Sequence, residues 1–60
     1  MIVMRKQILR GFREQFEPVF VKFSDGIRVV FTNIDGNVMF DGTHWLFDQC
    51  VALGYFQVRR

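Results

Sequence analysis

Residues 1–16, "MIVMRKQILRGFREQF", decide what kind of fold this chain has. At about 100° per residue, Met1, Met4, Ile8, Leu9, Phe12 and Phe16 fall on one arc of about 140°. Lys6, Arg10 and Arg13 cluster beside that arc, so the segment reads as an amphipathic basic helix. Arg5 falls inside the arc and Val3 outside it, and Gly11 costs a helix about 1 kcal/mol relative to alanine. Strands over "MIVM" or "QILRGF" are the rival reading. Pro18 ends the pattern, because the residue before a proline disfavours helix. The spacing predicts an N-terminal helix.

Beyond Pro18 the chain is richer in β-branched and aromatic residues: "VFVKF" at 19–23 and "IRVVFTN" at 27–33. A three-residue loop, Ser24-Asp25-Gly26, pairs Phe23 with Ile27, Val21 with Val29 and Val19 with Phe31. All six then share one face, and Gly26 supplies the left-handed third loop position. A one-residue slip would scatter that face. A third strand is expected at 37–41, "NVMFD". If Ile34-Asp35-Gly36 makes the same turn, Asn33 pairs with Asn37 and Met39 joins the first face. A register one residue different brings in Val38 and Phe40 instead. The second face holds Phe20 and Val30 either way.

Residues 43–53 read as a helix. Asp41 or Thr43 can cap its first turn, and Gly54 suits the left-handed position after its end. Leu46, Phe47, Cys50, Val51 and Leu53 make its apolar arc, with Trp45 on the polar side. The tail "YFQVRR" leaves room for a short fourth strand. The expected fold class is α+β: an N-terminal helix, a three-stranded antiparallel β-meander and a C-terminal helix, in one small domain over 1–60.

Composition narrows the function. At this length a chain buries only about 60% of the surface its unfolded form exposes. Half the residues are hydrophobic and eight are phenylalanine, so apolar packing has to supply the stability. Cys50 is the only cysteine, which rules out a disulfide within the chain and fits a reducing compartment. No apolar run reaches the length of a membrane span, and Arg5 and Lys6 interrupt any signal-peptide core, so a soluble cytoplasmic protein is expected. The net charge of +2 is unevenly placed. Arg5, Lys6, Arg10 and Arg13 precede the first acid, Arg59 and Arg60 close the chain, and the acids fill the centre.

Three Asp-Gly pairs, at Asp25, Asp35 and Asp41, raise the question of cation ligands. An EF-hand frame around Gly36 puts Phe31 in the first ligand position and Gly42 in the last, so the pairs read as turns. His44 and Asp48 are helix neighbours, but Cys50 points about 120° away from His44, and the chain has no other His or Cys. A nucleophile–base set would need Ser24 or Thr43 brought to His44, which nothing in the spacing recommends. The bland reading of His44 and Asp48 is a solvated face with a local ion pair. Neither a metal, a cofactor nor a small-molecule substrate is expected.

The function expected from sequence is a non-enzymatic binding module. It would act as a small regulator or adaptor through protein–protein contact, on a protein partner or on itself as a homodimer, with Trp45, Phe20 and Val30 as contact residues. Trp is enriched among interface hot spots. The alternative is a nucleic-acid-binding accessory protein, with Arg5, Lys6, Arg10 and Arg13 of the basic N-terminal helix on DNA or RNA phosphates. A membrane-surface role for that helix is disfavoured, because so small a core needs its apolar arc.

Overall fold

The computed structural model describes residues 1–60. Five strands and one helix follow in the order β1 (Ile2–Leu9), β2 (Arg13–Ser24), β3 (Arg28–Thr32), β4 (Val38–Thr43), α1 (His44–Ala52) and β5 (Phe56–Arg59). The strands make a single antiparallel sheet ordered β4-β3-β2-β1-β5. The expected α+β arrangement is therefore overturned. No N-terminal helix forms, the meander is part of a larger sheet, and the one helix is followed by a strand.

The first sixteen residues fold as a hairpin because sheet pairing buries what a helix would have left outside. Val3, off the helical arc, is buried opposite Val19 on one side and Val58 on the other. Gly11, a fault in a helix, is the centre of a turn: Arg10-Gly11-Phe12 joins Leu9 to its partner Arg13, with Gly11 at φ +81° and Phe12 at φ +62°. Pro18 is tolerated inside β2 because β3 stops at Thr32, opposite Phe20. Beyond that point β2 has no neighbour on that side to receive an N–H.

The β2–β3 register also differs from expectation. Phe23 pairs with Val30 and Ser24 with Val29, and the loop is Asp25-Gly26-Ile27. Gly26 does not adopt the left-handed conformation. The Asp25 carboxylate closes the turn instead, accepting from the backbone N–H of Ile27 at 2.8 Å and of Arg28 at 2.7 Å. A bulge at Lys22 rotates the strand, so Val19, Val21, Val29 and Phe31 share one face while Phe23 moves to the other. In the next hairpin the Asn33 N–H donates to the Asn37 carbonyl at 3.0 Å, but a second irregularity at Met39 sets Phe40 opposite Phe31 and leaves Val38 opposite Thr32. Each of the two registers considered for this strand holds for part of it.

Helix α1 is punctuated at both ends. Thr43 caps it, its Oγ1 accepting from the Leu46 N–H at 3.0 Å; Asp41 does not cap, being held by Arg28. At the other end Gly54, at φ +88°, donates to Val51, and Tyr55 donates to Cys50. These are the two hydrogen bonds of a Schellman ending. The helix lays Phe47 on the sheet, and four rings lock there. Phe47 lies 4.9 Å from Phe31, 5.2 Å from Phe56 and 5.7 Å from Phe40, between ring centroids. Gly42, beneath Phe40 and Leu46, leaves them room: a Cβ there would come within 3.1 Å of the Phe40 ring. Val3, Val19 and Val29 complete the core. Leu46 and Leu53, expected on the buried arc, are exposed because the helix is short and only its centre meets the sheet.

Replacing a buried Phe by Ala costs about 3–5 kcal/mol, against a total stability of roughly 3–9 kcal/mol for a chain of this length. Phe47→Ala should therefore leave a large unfolded fraction at room temperature, read as loss of near-ultraviolet dichroism and of a cooperative urea transition.

Candidate functional site

Only one face of the sheet has a helix over it. On the other, strand parity collects Ile2 and Met4 of β1, Pro18, Phe20 and Phe23 of β2, Val30 of β3 and Val38 of β4. Val30 lies at its centre and is 7% exposed, shielded by its neighbours on this face. Phe20 (50%), Phe23 (47%) and Val38 (50%) stay half exposed, with nothing above them. A shallow groove of about 290 Å³ runs over Val30 between Phe23 and Val38, walled by Lys22, Arg28 and Asp41.

The rim of this face is polar, and its charges other than Lys22 are paired within the chain. Arg28 grips Asp41 through two hydrogen bonds, at 2.7 and 2.6 Å. Lys6 meets Glu14 at 2.8 Å. Both aspartates near the groove are held below the usual carboxylate range. For Asp25 the cause is the Arg28 and Ile27 backbone N–H groups, and for Asp41 it is the hydrogen bond from Arg28. The exposed pairs fix the edges of the face more than they stabilise the fold.

Of the expected contact residues, Phe20 and Val30 meet on this face, while Trp45 lies apart from them. It stands 70% exposed on α1, in the opposite layer. The four basic residues named for nucleic acid are also divided. Arg5 faces the helix side and reaches Glu17 at 3.4 Å, Lys6 faces the open side, and Arg10 and Arg13 sit at the far turn of the β1–β2 hairpin. Sequence periodicity missed Ile2, Met4 and Pro18, which a strand reading of residues 1–9 would have put beside Phe20.

The one candidate for chemistry is at the other end of the sheet. The fold does bring Ser24 to His44, with Oγ 3.4 Å from Nε2. But Nε2 is 2.8 Å from the Asp25 carbonyl oxygen, a contact that requires a proton on that nitrogen. Nε2 is then a donor and cannot take the serine proton, so the pair lacks the base of a nucleophilic dyad. His44 is a staple: its ring donates to Asp25 and its backbone N–H to Ile27 at 2.9 Å, tying the β2–β3 turn to the start of α1. The expected His44–Asp48 ion pair is not formed. No three His, Cys, Asp or Glu side chains gather as a metal site. No helix is long and apolar enough to cross a membrane.

Comparison with protein-family models, with curated proteins and with solved structures finds no match.

The lowered carboxyl groups give a pH dependence of known sign. A group whose folded pKa lies below its unfolded one stabilises the fold above about pH 4, and that stabilisation drains away as pH falls through the folded value. The melting temperature should therefore drop on acidification below about pH 4. Replacing Asp25 and Asp41 by Asn should flatten that part of the profile, checked by thermal melts from neutral pH downward.

Proposed function

We propose that this protein is a non-enzymatic binding module that self-associates through its uncovered sheet face and serves as a small regulator or adaptor. The observation that carries the reading is the apolar surface around Phe20 and Val30. A monomer of 7.2 kDa is expected to expose about 4,100 Å². This chain exposes 4695 Å². The excess of about 600 Å² is shared between the open face and the long β1–β2 hairpin, and the part of it at half-exposed Phe20, Phe23 and Val38 supports the reading.

A second copy is the occupant that the face suits. Stacked sheets pack about 10 Å apart with their side chains interdigitated, and half-exposed Phe20, Phe23 and Val38 are the knobs such packing needs. Arg28–Asp41 and Lys6–Glu14 are paired within each copy, which leaves Lys22 as the unpaired wall residue that a second copy has to accommodate. A two-fold axis through Val30 would close the contact. Trp45, in the other layer, stays outside it and offers the separate protein contact that an adaptor requires. A cytoplasmic setting is supported by the lone Cys50, which has no partner for a disulfide within the chain.

Sedimentation equilibrium should show a concentration-dependent dimer. Phe20→Asp, a change at a half-exposed position, should give a folded monomer with dimer affinity down by about tenfold or more, the cost of truncating and charging an interface anchor. A strict monomer at high protein concentration, or a Phe20→Asp variant that dimerises normally, would remove the reading.

A further inference from the structure

The second unusual feature is the β1–β2 hairpin, which runs on past the rest of the sheet. β5 ends its pairing at Arg5 and β3 at Phe20, so from Lys6 and Phe16 outward the two strands have mainly each other. The result is a two-stranded arm on a molecule 38 Å long and 26 Å across.

The arm holds all of the net charge. Outside residues 5–17, Lys22, Arg28, Arg59 and Arg60 balance Asp25, Asp35, Asp41 and Asp48. Within it, Glu17 and Glu14 neutralise Arg5 and Lys6 at the base. Arg10 and Arg13, at the tip, have no acidic partner. Between them stands Phe12, 91% exposed and with its backbone in the left-handed region at φ +62°. That conformation favours Gly or Asn, and a ring so exposed contributes almost no packing in return. A local rule broken with no gain to the fold points to a role outside it.

We propose that this arm is a nucleic-acid contact, in which Phe12 stacks on a base or wedges between two while Arg10 and Arg13 hold the flanking phosphates. An aromatic ring beside two guanidinium groups matches a base beside its phosphates, and base–aromatic stacking tolerates any sequence. A two-stranded ribbon also fits the major groove of a duplex, and apolar wedges open base steps from the minor groove. A membrane suits the tip less well, because sinking Phe12 would draw both arginines toward the hydrocarbon. With two phosphates neutralised, binding is weak and salt-sensitive. The proposal is independent of the sheet-face contact, and Phe20→Asp leaves the arm intact.

The test is fluorescence anisotropy with a labelled single strand of about 16 nucleotides and a duplex of matching length, beside flotation with phosphatidylserine vesicles. From about 50 to 200 mM salt, affinity per engaged arm should fall about sevenfold on the single strand or about 12-fold on the duplex. Whichever substrate binds more tightly assigns stacking or groove insertion. Arg10→Ala with Arg13→Ala should abolish the salt dependence. Phe12→Asn, which suits the left-handed backbone and so preserves the turn, should weaken binding about five- to 150-fold. The proposal is overturned by absence of binding to both nucleic acids at low salt, by a Phe12→Asn variant with unchanged affinity, or by binding to the vesicles alone.

Discussion

A nine-residue helix can cover only so much sheet, and the rest of the structure is shaped by that limit. α1 is about 13 Å long, whereas five strands at their usual spacing span about 19 Å and β2 alone runs about 36 Å. The helix therefore shelters one patch on one face, where Phe31, Phe40, Phe47 and Phe56 meet. The aromatic cluster concentrates large apolar area under a small cover, and edge and tilted ring contacts add to it. Surface that the helix cannot reach must be solvated, paired with charge, or covered by something else. The open face and the arm are the two remainders.

The two remainders are solved differently by the sequence. Near the body, the open face is built from apolar residues, with ion pairs only at its margins. Along the arm, apolar and charged residues mix on both faces: Ile8 beside Lys6, and Leu9 beside Gln7 and Arg13. Such a ribbon has no face to bury, so it is held by its ladder hydrogen bonds, with the Lys6–Glu14 and Arg5–Glu17 pairs fixing side-chain positions more than adding stability. An isolated two-stranded ribbon is marginal in water, and this one is anchored by the sheet at its base.

That same mixing explains which parts of the fold are legible in the chain. The helix over 43–53 is legible because Thr43 and Gly54 punctuate it and Phe47 sits at the centre of its arc, whereas the four-residue strand after it is too short to show a clear alternation. Phe20 and Val30 were legible as a second face because strand parity survives a change of register. Residues 1–16 were not legible. The arm's loss of alternation let its apolar residues fall by chance on a helical arc, and only Val3, Arg5 and Gly11 spoke against it. The bulge at Lys22 leaves no compositional mark, and with Ile27 in the turn it reduces an expected face of six apolar residues to four. Helical spacing puts Arg10 and Arg13 on one side of a helix and Phe12 in the core, whereas Phe12 stands at the hairpin tip, 91% exposed.

The pairing of β1 with β5 has a consequence for how the sheet comes together. β1–β2, β2–β3 and β3–β4 are hairpins, each closed by a short turn. The contact of Ile2 with Arg59 closes a loop of nearly the whole sequence, and it delivers Phe56 to the aromatic cluster. Local pairings cost little entropy to nucleate, while this one closes the longest loop and costs the most. Before it forms, Phe31, Phe40 and Phe47 lack their fourth ring and the outer edge of β1 is unpaired. Docking of this four-residue strand is thus the pairing with the largest loop-closure cost, and a chain in which it has opened presents the edge of β1 to other strands.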